Sequence, residues 1–360
     1  MEENTMEEIK IIKIDSPKAK PDENSLGFGK MFTDHMFVMD YHIDKGWYDP
    51  RIIPYGPFEV EPSLMVFHYG QAIFEGMKAY LNKNGEAVAF RPMANIKRLN
   101  RSAERLCIPT IDEDFVWEAL QKLLEVDKDW IPKAEGTSLY IRPFIIATDA
   151  SLGVRPSYTY KFFIILSPVG AYYAEGLKPV KIYVTDKYVR AAQGGVGFTK
   201  TSGNYAVSLY AAEEAKKKGY TQVLWLDAKE HKYVEEVGTM NIFFKINNVL
   251  ITAPLEGGTI LGGVTRDSVI ELADDMGYTI EERHLSIQEV FDAHEAGTLE
   301  EVFGTGTAAV ISPVGVLNWN DRIIEVNGGN MGELSQKLYD KISAIQYGKE
   351  LDIHGWIEKV

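Results

Sequence analysis

A lysine in a glycine-rich segment and a pair of carboxylates further along the chain are the residues best suited to chemistry. Lys200 is the only charged residue between Gln193 and Tyr205, and Glu235 and Glu236 precede a Val-Gly-Thr sequence. A lysine amine attacks a carbonyl only when desolvation or a nearby cation lowers its pKa. An imine-forming lysine and an acid opposite the ring nitrogen are what pyridoxal phosphate requires of a protein. The residues therefore indicate that chemistry, although a solvated loop lysine and two exposed acids are the ordinary alternatives.

The choice between Glu235 and Glu236 stays open at this point. Neighbouring residues of a strand point to opposite faces, so only one of the two carboxylates can face a cofactor ring. Tyr205 lies at the start of a predicted helix, where its hydroxyl is suited to hydrogen-bond the phenolic oxygen of the ring. A partly buried aromatic side chain is an equally good interpretation of Tyr205.

Three features are candidates for holding a phosphate group. Residues 263–266 precede a predicted helix, whose free N–H groups and dipole favour an anion. Residues 304–307, Gly-Thr-Gly-Thr, are expected to form a second anion-binding nest. Arg98, in a predicted helix, offers a planar guanidinium for bidentate binding. Helix termini and glycine turns are common, so none of the three is specific alone.

Composition narrows the class of protein. A chain of 360 residues favours two domains, and a net charge of -14 argues against nucleic acid as a partner. Cys107 is the only cysteine, which rules out an internal disulfide and a cysteine-built zinc site. The seven histidines form no metal-ligand spacing, and neither His-Glu-x-x-His nor Gly-x-Ser-x-Gly occurs. We expect no metal, no membrane partner and a cytoplasmic location, because the N-terminus is acidic and no apolar run has membrane length.

The pattern of apolar residues predicts a mixed α/β protein. Helices are expected at residues 93–106, 115–126, 204–218, 265–276 with Thr265 as N-cap, and 331–347. Strands are expected at residues 9–14, 36–41, 87–91, 139–148, 160–166, 181–185, 222–227, 242–246, 249–252 and 300–303. Residues 47–62 are expected to form a proline-rich loop, and Asn247-Asn248 a hairpin turn. Residues 1–170 would form a smaller N-terminal α/β domain, residues 171–180 a connection, and residues 181–360 a larger cofactor-binding domain.

Ordered motifs over most of the chain resemble those of one known family. They occupy residues 29–36, 67–80, 139–143, 202–205, 236–241 and 304–308. Together they are similar to the branched-chain amino acid aminotransferases, the long-chain branch of the class IV pyridoxal-phosphate-dependent aminotransferases. The resemblance implies a fold type IV enzyme, similar to D-amino acid aminotransferase, with its cofactor between two domains.

The resemblance also implies a role for each matching residue. Lys200 would be the catalytic lysine that carries the cofactor as an imine, and Glu236 rather than Glu235 would face the ring nitrogen. The implied cofactor-binding residues are Arg98, Lys200, Tyr205, Glu236, Thr239, Leu261, Val264, Thr265 and Thr307. The implied substrate-binding residues are Phe28, Tyr69, Phe74, Tyr140, Arg142, Leu152, Val154, Tyr172, Thr239 and Ala308.

Within that set, Arg142 and Tyr69 would meet the second carboxylate of glutamate, and the loop with Leu152 and Val154 would close the partner subunit's site in a homodimer. The implied reaction moves an amino group between L-leucine, L-isoleucine or L-valine and 2-oxoglutarate. A D-amino acid aminotransferase or an aminodeoxychorismate lyase of the same fold is one alternative, and a non-enzymatic small-acid binding protein is another.

The chain departs from the family pattern at four positions. Ala309 and Ser312 replace a cysteine pair found in vertebrate members, so control by thiol chemistry is not expected. Gly262 replaces a common proline and Ser202 a common glycine. Neither replacement removes a catalytic group.

Overall fold

The computed structural model describes residues 7–170 and 177–360. The strands in these ranges are β1 (Lys10–Ile11), β2 (His35–His42), β3 (Gly46–Pro54), β4 (Ala72–Phe74), β5 (Met77–Leu81), β6 (Ala87–Phe90), β7 (Ser138–Ala147), β8 (Thr159–Val169), β9 (Val180–Thr185), β10 (Gln222–Leu226), β11 (Val234–Val237), β12 (Met240–Ile246), β13 (Val249–Thr252), β14 (Thr279–Glu282), β15 (Leu299–Gly306), β16 (Val310–Trp319), β17 (Arg322–Glu325) and β18 (Ile357–Lys359). The α-helices are α1 (Met65–Tyr69), α2 (Pro92–Arg105), α3 (Glu113–Val126), α4 (Ser202–Ala206), α5 (Leu209–Lys217), α6 (Val264–Asp275), α7 (Ile287–Glu295) and α8 (Glu333–Gln346).

The described residues divide into two compact units. The first contains residues 7–170, 199–202 and 345–360, and the second contains residues 177–198 and 203–344. Two stretches therefore depart from the predicted division at residue 181. Strand β18 pairs with β6, and Thr201 forms a β-bridge with Ile73, so both stretches belong to the first unit. Residues 171–176 of the predicted connection lie outside the described ranges.

The first unit is built on one nine-stranded sheet in the order β1-β3-β2-β8-β7-β5-β6-β18, with β4 beside β7. Pro92 begins α2 at a position where its missing N–H is harmless, and Asp112 caps α3 by accepting the Phe115 N–H at 2.8 Å. The apolar faces of α2 and α3 share a core with Leu139 and Ile141 of β7. Because strand residues alternate, Tyr140 and Arg142 lie on the opposite face of the sheet.

Strand β3 replaces the first half of the predicted proline-rich loop, residues 47–54. Its pairing with β2 shifts register between Val38 and Asp40, and Pro50 lies at that shift. A bulge leaves one residue out of the hydrogen-bond ladder, so a proline is accepted there without losing a bond. The prediction was wrong because sequence alone does not show which ladder positions are unpaired.

The second unit contains a closed ring of strands. The pairings run β9-β10-β11-β12-β15-β16 and back to β9, while β13 with β14 and β17 extend the sheet outside the ring. Closure leaves these six strands without an open edge. Their inward apolar side chains, such as Ile182, Leu224 and Phe244, form the core of this unit.

Two local predictions in this unit have different outcomes. The hairpin of β12 and β13 across Asn247 and Asn248 is confirmed, and both residues have positive φ angles, 50° and 60°, as a type I′ turn requires. The single helix predicted at residues 204–218 is divided into α4 and α5. The Ser208 hydroxyl donates to the Tyr205 carbonyl at 2.7 Å, a local bond that competes with regular helix pairing.

Within the described ranges, no helix combines the length and apolar character needed to cross a membrane. The same residues contain no group of three or more His, Cys, Asp or Glu side chains suited to a metal ion.

Candidate active site

The backbone around Lys200 is fixed against β4 and α2. The Phe74 N–H donates to the Lys200 carbonyl at 3.0 Å, and the Lys200 N–H donates to the Ser102 hydroxyl at 2.9 Å. The Thr201 hydroxyl donates to the Ala72 carbonyl at 2.8 Å. These three hydrogen bonds hold the backbone of the lysine in one place.

The amine of Lys200 has an altered acidity. Burial, followed by the nearby charge of Arg98, lowers its pKa from 10.5 to about 8, against an opposing effect of Glu75. Its Nζ lies 4.8 Å from the centre of the Phe74 ring. At neutral to mildly alkaline pH a useful fraction of this amine is neutral, which is the form that attacks a carbonyl or accepts a proton.

Arg98 is held by a carboxylate to which the sequence analysis gave no role. Arg98 Nε lies 2.8 Å from Glu75 Oε1, and Nη2 lies 2.9 Å from Oε2. Glu75 is fully buried and Arg98 is 4% exposed, so the pair is bidentate and desolvated. A carboxylate between the apolar residues Phe74 and Met77 was the available signal, because a buried acid needs a cation.

Tyr140 and Arg142 form a polar site beside aromatic rings. Arg142 Nη2 donates to the Tyr140 hydroxyl at 3.1 Å, and Arg142 Nε is buried without a hydrogen-bond partner. The Phe28 ring meets that of Tyr140 edge-on at 5.0 Å, and the Arg142 guanidinium lies 4.7 Å from the centre of the Phe74 ring. A donor without a partner beside aromatic walls is suited to a ligand that carries both a carboxylate and an apolar group.

Gly76 makes room for the Tyr140 hydroxyl. A Cβ atom at residue 76 would lie 2.0 Å from that oxygen, which no side chain can accommodate without displacing Tyr140. On the neighbouring strand, Lys78 faces Tyr140 in register, and burial lowers the pKa of Lys78 to about 8.

Tyr69 contacts the loop that contains Leu152 and Val154, which the sequence analysis predicts to close the partner subunit's site. Its hydroxyl donates to the Leu152 carbonyl. Leu152 and Val154 are 67% and 83% exposed, and Tyr69 is 39% exposed. These three residues therefore form an apolar surface on the first unit, here called the Leu152 surface.

In the second unit, Glu236 is placed as a fixed anion. Arg190 Nε lies 2.9 Å from Glu236 Oε2, and the Leu261 N–H donates to Oε1 at 2.7 Å. Glu235 differs, because burial raises the pKa of its carboxyl and its Oε2 has no hydrogen-bond partner. The geometry favours Glu236 as the ionised carboxylate, the choice that spacing alone left open.

Helix α6 follows directly after the Thr259–Gly263 segment, which contains Leu261. The helix starts at Val264 with Gly263 as N-cap, not at the predicted Thr265. A Cβ atom at residue 263 would lie 2.1 Å from Asn241 Oδ1, so this glycine allows the chain to turn into the helix one step early. No side chain caps the helix, and the first N–H groups suit an anion.

Residues 304–307 do not form the predicted nest. Gly304 and Thr305 pair with both β12 and β16, and a nest requires helical rather than extended backbone. Thr307 and Ala308 lie in the turn between β15 and β16, which closes at Val310 with a φ angle of 62°. A positive φ at a β-branched residue is strained, and such strain is common beside functional sites.

The predicted residues thus fall into two groups, each within one unit. The first group contains Phe28, Tyr69, Phe74, Arg98, Tyr140, Arg142, Leu152, Val154 and Lys200, and the second contains Tyr205, Glu236, Thr239, Leu261, Val264, Thr265, Thr307 and Ala308. Tyr205 is half-buried in α4, and Thr239 is exposed between β11 and β12. Tyr172 lies outside the described residues.

Comparison with known proteins identifies the family. The model of the class IV amino-transferases matches residues 72–316. The chain belongs to this family. It is 58% identical to branched-chain-amino-acid aminotransferase 2 of Bacillus subtilis, over 99% of this chain and 98% of the relative. A mixed α/β class IV aminotransferase fold follows.

Solved structures agree with this assignment. The branched-chain amino acid aminotransferase of Escherichia coli has a TM-score of 0.76 and 28% identity, covering 91% of this chain and 99% of that one. The branched-chain amino acid aminotransferase from Thermobaculum terrenum, solved in its PLP-form, has a TM-score of 0.74 and 25% identity, covering 91% of this chain and 98% of that one.

Class IV aminotransferases use pyridoxal phosphate, and the residues present fit that group. The fit rests on an amine with a pKa of about 8, a carboxylate held by a cation, and a helix N-terminus without a side-chain cap. An aldehyde, a pyridine nitrogen and a phosphate are the functional groups that these three features match.

Proposed function

We propose that this chain is a pyridoxal-phosphate-dependent aminotransferase that exchanges amino groups between branched-chain L-amino acids and 2-oxoglutarate. The observation that carries the proposal is Lys200, whose pKa is lowered to about 8 by burial and by Arg98. The bound cofactor supplies an electron-poor ring that stabilises the negative charge formed when Cα loses its proton. Lys200 then accepts and returns that proton as a general base and acid.

The surrounding residues have supporting roles in this proposal. Glu236, paired with Arg190, would face the pyridine nitrogen and favour its protonated form, and Tyr205 would hydrogen-bond the ring oxygen. Val264, Thr265 and Thr307 would bind the phosphate group, and Arg98 stays a predicted phosphate ligand. In the first unit Glu75 holds Arg98 in place, and the charge of Arg98 lowers the pKa of the lysine amine, so that a fraction of the amine is neutral near neutral pH.

A pocket of this kind must accept an apolar side chain and an acid in turn. The rings of Phe28, Phe74 and Tyr140 provide apolar contact for leucine, isoleucine or valine. The unpaired Arg142 Nε provides a donor for the second carboxylate of glutamate. A buried donor without a hydrogen-bond partner is unfavourable, so a dicarboxylate that accepts this hydrogen bond gains affinity. The neighbouring aromatic rings still provide apolar contact for the branched-chain substrates.

We also infer a homodimer, supported by the Leu152 surface. Leu152 and Val154 expose most of their apolar side chains, and Tyr69 is hydrogen-bonded to the same loop. Exposed apolar groups clustered in this way are typical of an interface. The proposal assigns this surface to the partner subunit's substrate pocket. A cytoplasmic location stays a prediction.

Borohydride reduction followed by peptide mapping tests the central assignment. The reduced adduct is expected on the peptide that contains Lys200, and Lys200→Ala is expected to remove turnover while cofactor binding is retained without the covalent link. An adduct on another lysine, or none, would refute the assignment.

The substrate class is tested by the visible absorbance of the purified protein. L-Leucine is expected to shift the cofactor band, and D-leucine is expected to leave it unchanged. The opposite result would favour the D-amino acid enzyme of the same fold. A colourless protein would favour a binding protein without the cofactor.

A further inference from the structure

Arg190 is a buried guanidinium that joins three separate parts of the second unit. It is 8% exposed. Its Nε lies 2.9 Å from Glu236 Oε2, Nη1 donates to the Thr259 carbonyl at 2.7 Å, and Nη2 donates to the Gly197 carbonyl at 3.1 Å. A planar group with donors in a fixed fork can hold three acceptors in one geometry, which a lysine cannot do.

The acceptors of Arg190 are closely packed. A Cβ atom at residue 197 would lie 2.5 Å from the Thr259 carbonyl oxygen and 2.6 Å from the Ala191 Cβ. Glycine is therefore required at residue 197 for the two carbonyls to share one guanidinium. Gly197 stands three residues before Lys200 in the sequence.

The segment from Thr259 to Gly263 is fixed by two hydrogen bonds at its middle residue. The Leu261 N–H donates to Glu236 Oε1, and Asn241 Nδ2 donates to the Leu261 carbonyl at 2.8 Å. Arg190 fixes the start of the segment through Thr259. The segment leads directly into α6, whose N-terminus is the proposed phosphate site.

Glu236 has other charges nearby. Glu235, next along β11, interacts electrostatically with Glu236, with Arg190 and with Asp227. Two neighbouring buried acids repel, and a buried carboxylate without a cation takes up a proton well above its usual pKa. Arg190 lies within ion-pair distance of Glu236 and thus opposes both effects.

We propose that Arg190 is a positioning residue that keeps Glu236 ionised and holds the Thr259–Gly263 segment, so that the ring and phosphate contacts of the cofactor are made together. This inference rests on the proposed function. The three contacts of Arg190 described above are all to protein groups, so it acts through Glu236 and the segment. Removal of its charge lets Glu236 take up a proton in the acid range, and a neutral Glu236 no longer favours a protonated pyridine nitrogen.

The test measures the Kd of pyridoxal 5'-phosphate by equilibrium dialysis of the holoenzyme across a pH series. For Arg190→Met, the ratio of the variant Kd to the wild-type Kd is expected to rise roughly tenfold from about pH 8 to about pH 5, because protonation of Glu236 accompanies the loss of affinity. In the Glu236→Gln background, adding Arg190→Met is expected to change Kd by a factor that is the same at every pH, since no carboxyl titrates at residue 236.

Two further variants separate charge from packing. Arg190→Lys keeps a cation beside Glu236 but loses the fork, so its Kd ratio is expected to stay constant with pH. Arg190→Gln removes the charge while keeping polar donors, so it is expected to behave as Arg190→Met and replaces it if that variant does not fold. Arg283→Met removes another three-partner guanidinium of the same unit, bound to Glu281, His284 and Glu289, and should leave Kd unchanged.

The outcomes distinguish this inference from the proposed function. A pH-independent ratio for both folded Arg190→Met and Arg190→Gln overturns the inference alone. The same pH dependence in the Glu236→Gln background also overturns it, because the titrating group would then be another residue. A wild-type protein that binds no pyridoxal 5'-phosphate overturns the proposed function and this inference with it.

Discussion

The acidity of Lys200 is the property on which the proposed chemistry depends at the residue scale. Its pKa of about 8 lies below the ordinary 10.5, first because the amine is buried and second because Arg98 is near. The neutral amine therefore predominates above about pH 8. In protein freed of cofactor, we expect the rate of acylation at Lys200 to rise with pH and to reach half of its maximum near pH 8, measured by mass spectrometry of the labelled peptide.

The same shift has a consequence for stability. In the unfolded chain the lysine would bind its proton with the ordinary pKa of 10.5, so the folded state binds fewer protons between about pH 8 and 10.5. The contribution of this group to the free energy of unfolding is therefore lowest below pH 8 and rises with pH through that window, by about 3 kcal/mol at most.

In the acylation experiment on Lys200, a rate that reaches half of its maximum only near pH 10.5 would contradict the burial argument.

Arg142 separates the two substrate types. Arg142→Leu removes the donor for a second carboxylate but keeps an apolar side chain beside Phe74 and Tyr140. A hydrogen bond to a charged group contributes about 1.5–3 kcal/mol. We expect kcat/KM for L-glutamate to fall at least tenfold, and kcat/KM for L-leucine to fall by less than about threefold.

Arg51→Leu is the matched control for Arg142→Leu, because Arg51 lies on the same sheet and pairs with Asp40 and Asp49. It should leave the ratio of the two kcat/KM values unchanged. An equal loss for leucine and glutamate in Arg142→Leu would remove the argument for a dual pocket.

At the scale of elements, a buried acid begins helix α8. Glu301 is 5% exposed. Its Oε1 accepts the Leu334 N–H at 2.9 Å, and its Oε2 accepts the Ser335 N–H at 2.9 Å and the Ser335 hydroxyl at 2.8 Å. A carboxylate on free N–H groups of a helix start also interacts well with the dipole. Glu301 thus does from β15 what a local N-cap residue does elsewhere.

We expect Glu301→Gln to lower the free energy of unfolding by about 2 kcal/mol, because the new amide group faces a donor and one buried bond is lost. Urea unfolding monitored by circular dichroism measures this change. Glu333→Gln is the control, since Glu333 lies in the first turn of the same helix but its side chain is 79% exposed beside Lys337. Comparable losses in both variants would show that charge, not capping, is responsible.

The pattern of apolar residues identified the elements whose buried residues can be recognised within a single stretch of sequence. Helices α2 and α3 agree with the predicted ranges to within a few residues, and β7 and β8 follow from continuous apolar runs. The hairpin at Asn247-Asn248 follows from turn chemistry alone. In each case the residues of the element itself predict its secondary structure, because the elements packed against it only need to offer an apolar surface.

The elements that sequence did not identify depend on distant partners. The sequence predicts a loop where β3 lies, because it does not show that Pro50 is accepted at a bulge set by β2. The start of α6 was placed late because Gly263 fits against Asn241, twenty-two residues earlier in the chain. Glu75 and Arg190 were missed as site residues because a buried ion pair is defined by geometry between segments, not by spacing within one.

At the scale of the whole molecule, contacts within a single chain do not explain why the apolar side chains of the Leu152 surface are exposed. Leu152 and Val154 are 67% and 83% exposed. Contact with a second chain would remove this apolar area from water, worth about 25 cal/mol for each Å² buried. We expect the wild-type protein to have the mass of two chains by light scattering after size exclusion.

A loop variant with Leu152→Glu and Val154→Glu should shift that mass toward one chain and lower kcat/KM, because each pocket would lose its partner's loop. Leu351→Glu with Ile353→Glu is the matched control, with side chains of 79% and 67% exposure elsewhere on the first unit. Charges placed in an apolar interface are left without partners, whereas charges on a free surface stay hydrated. If the loop variant keeps both the two-chain mass and full activity, the surface does not serve a partner subunit, and the Tyr69 contact with Leu152 orders this loop for its own chain alone.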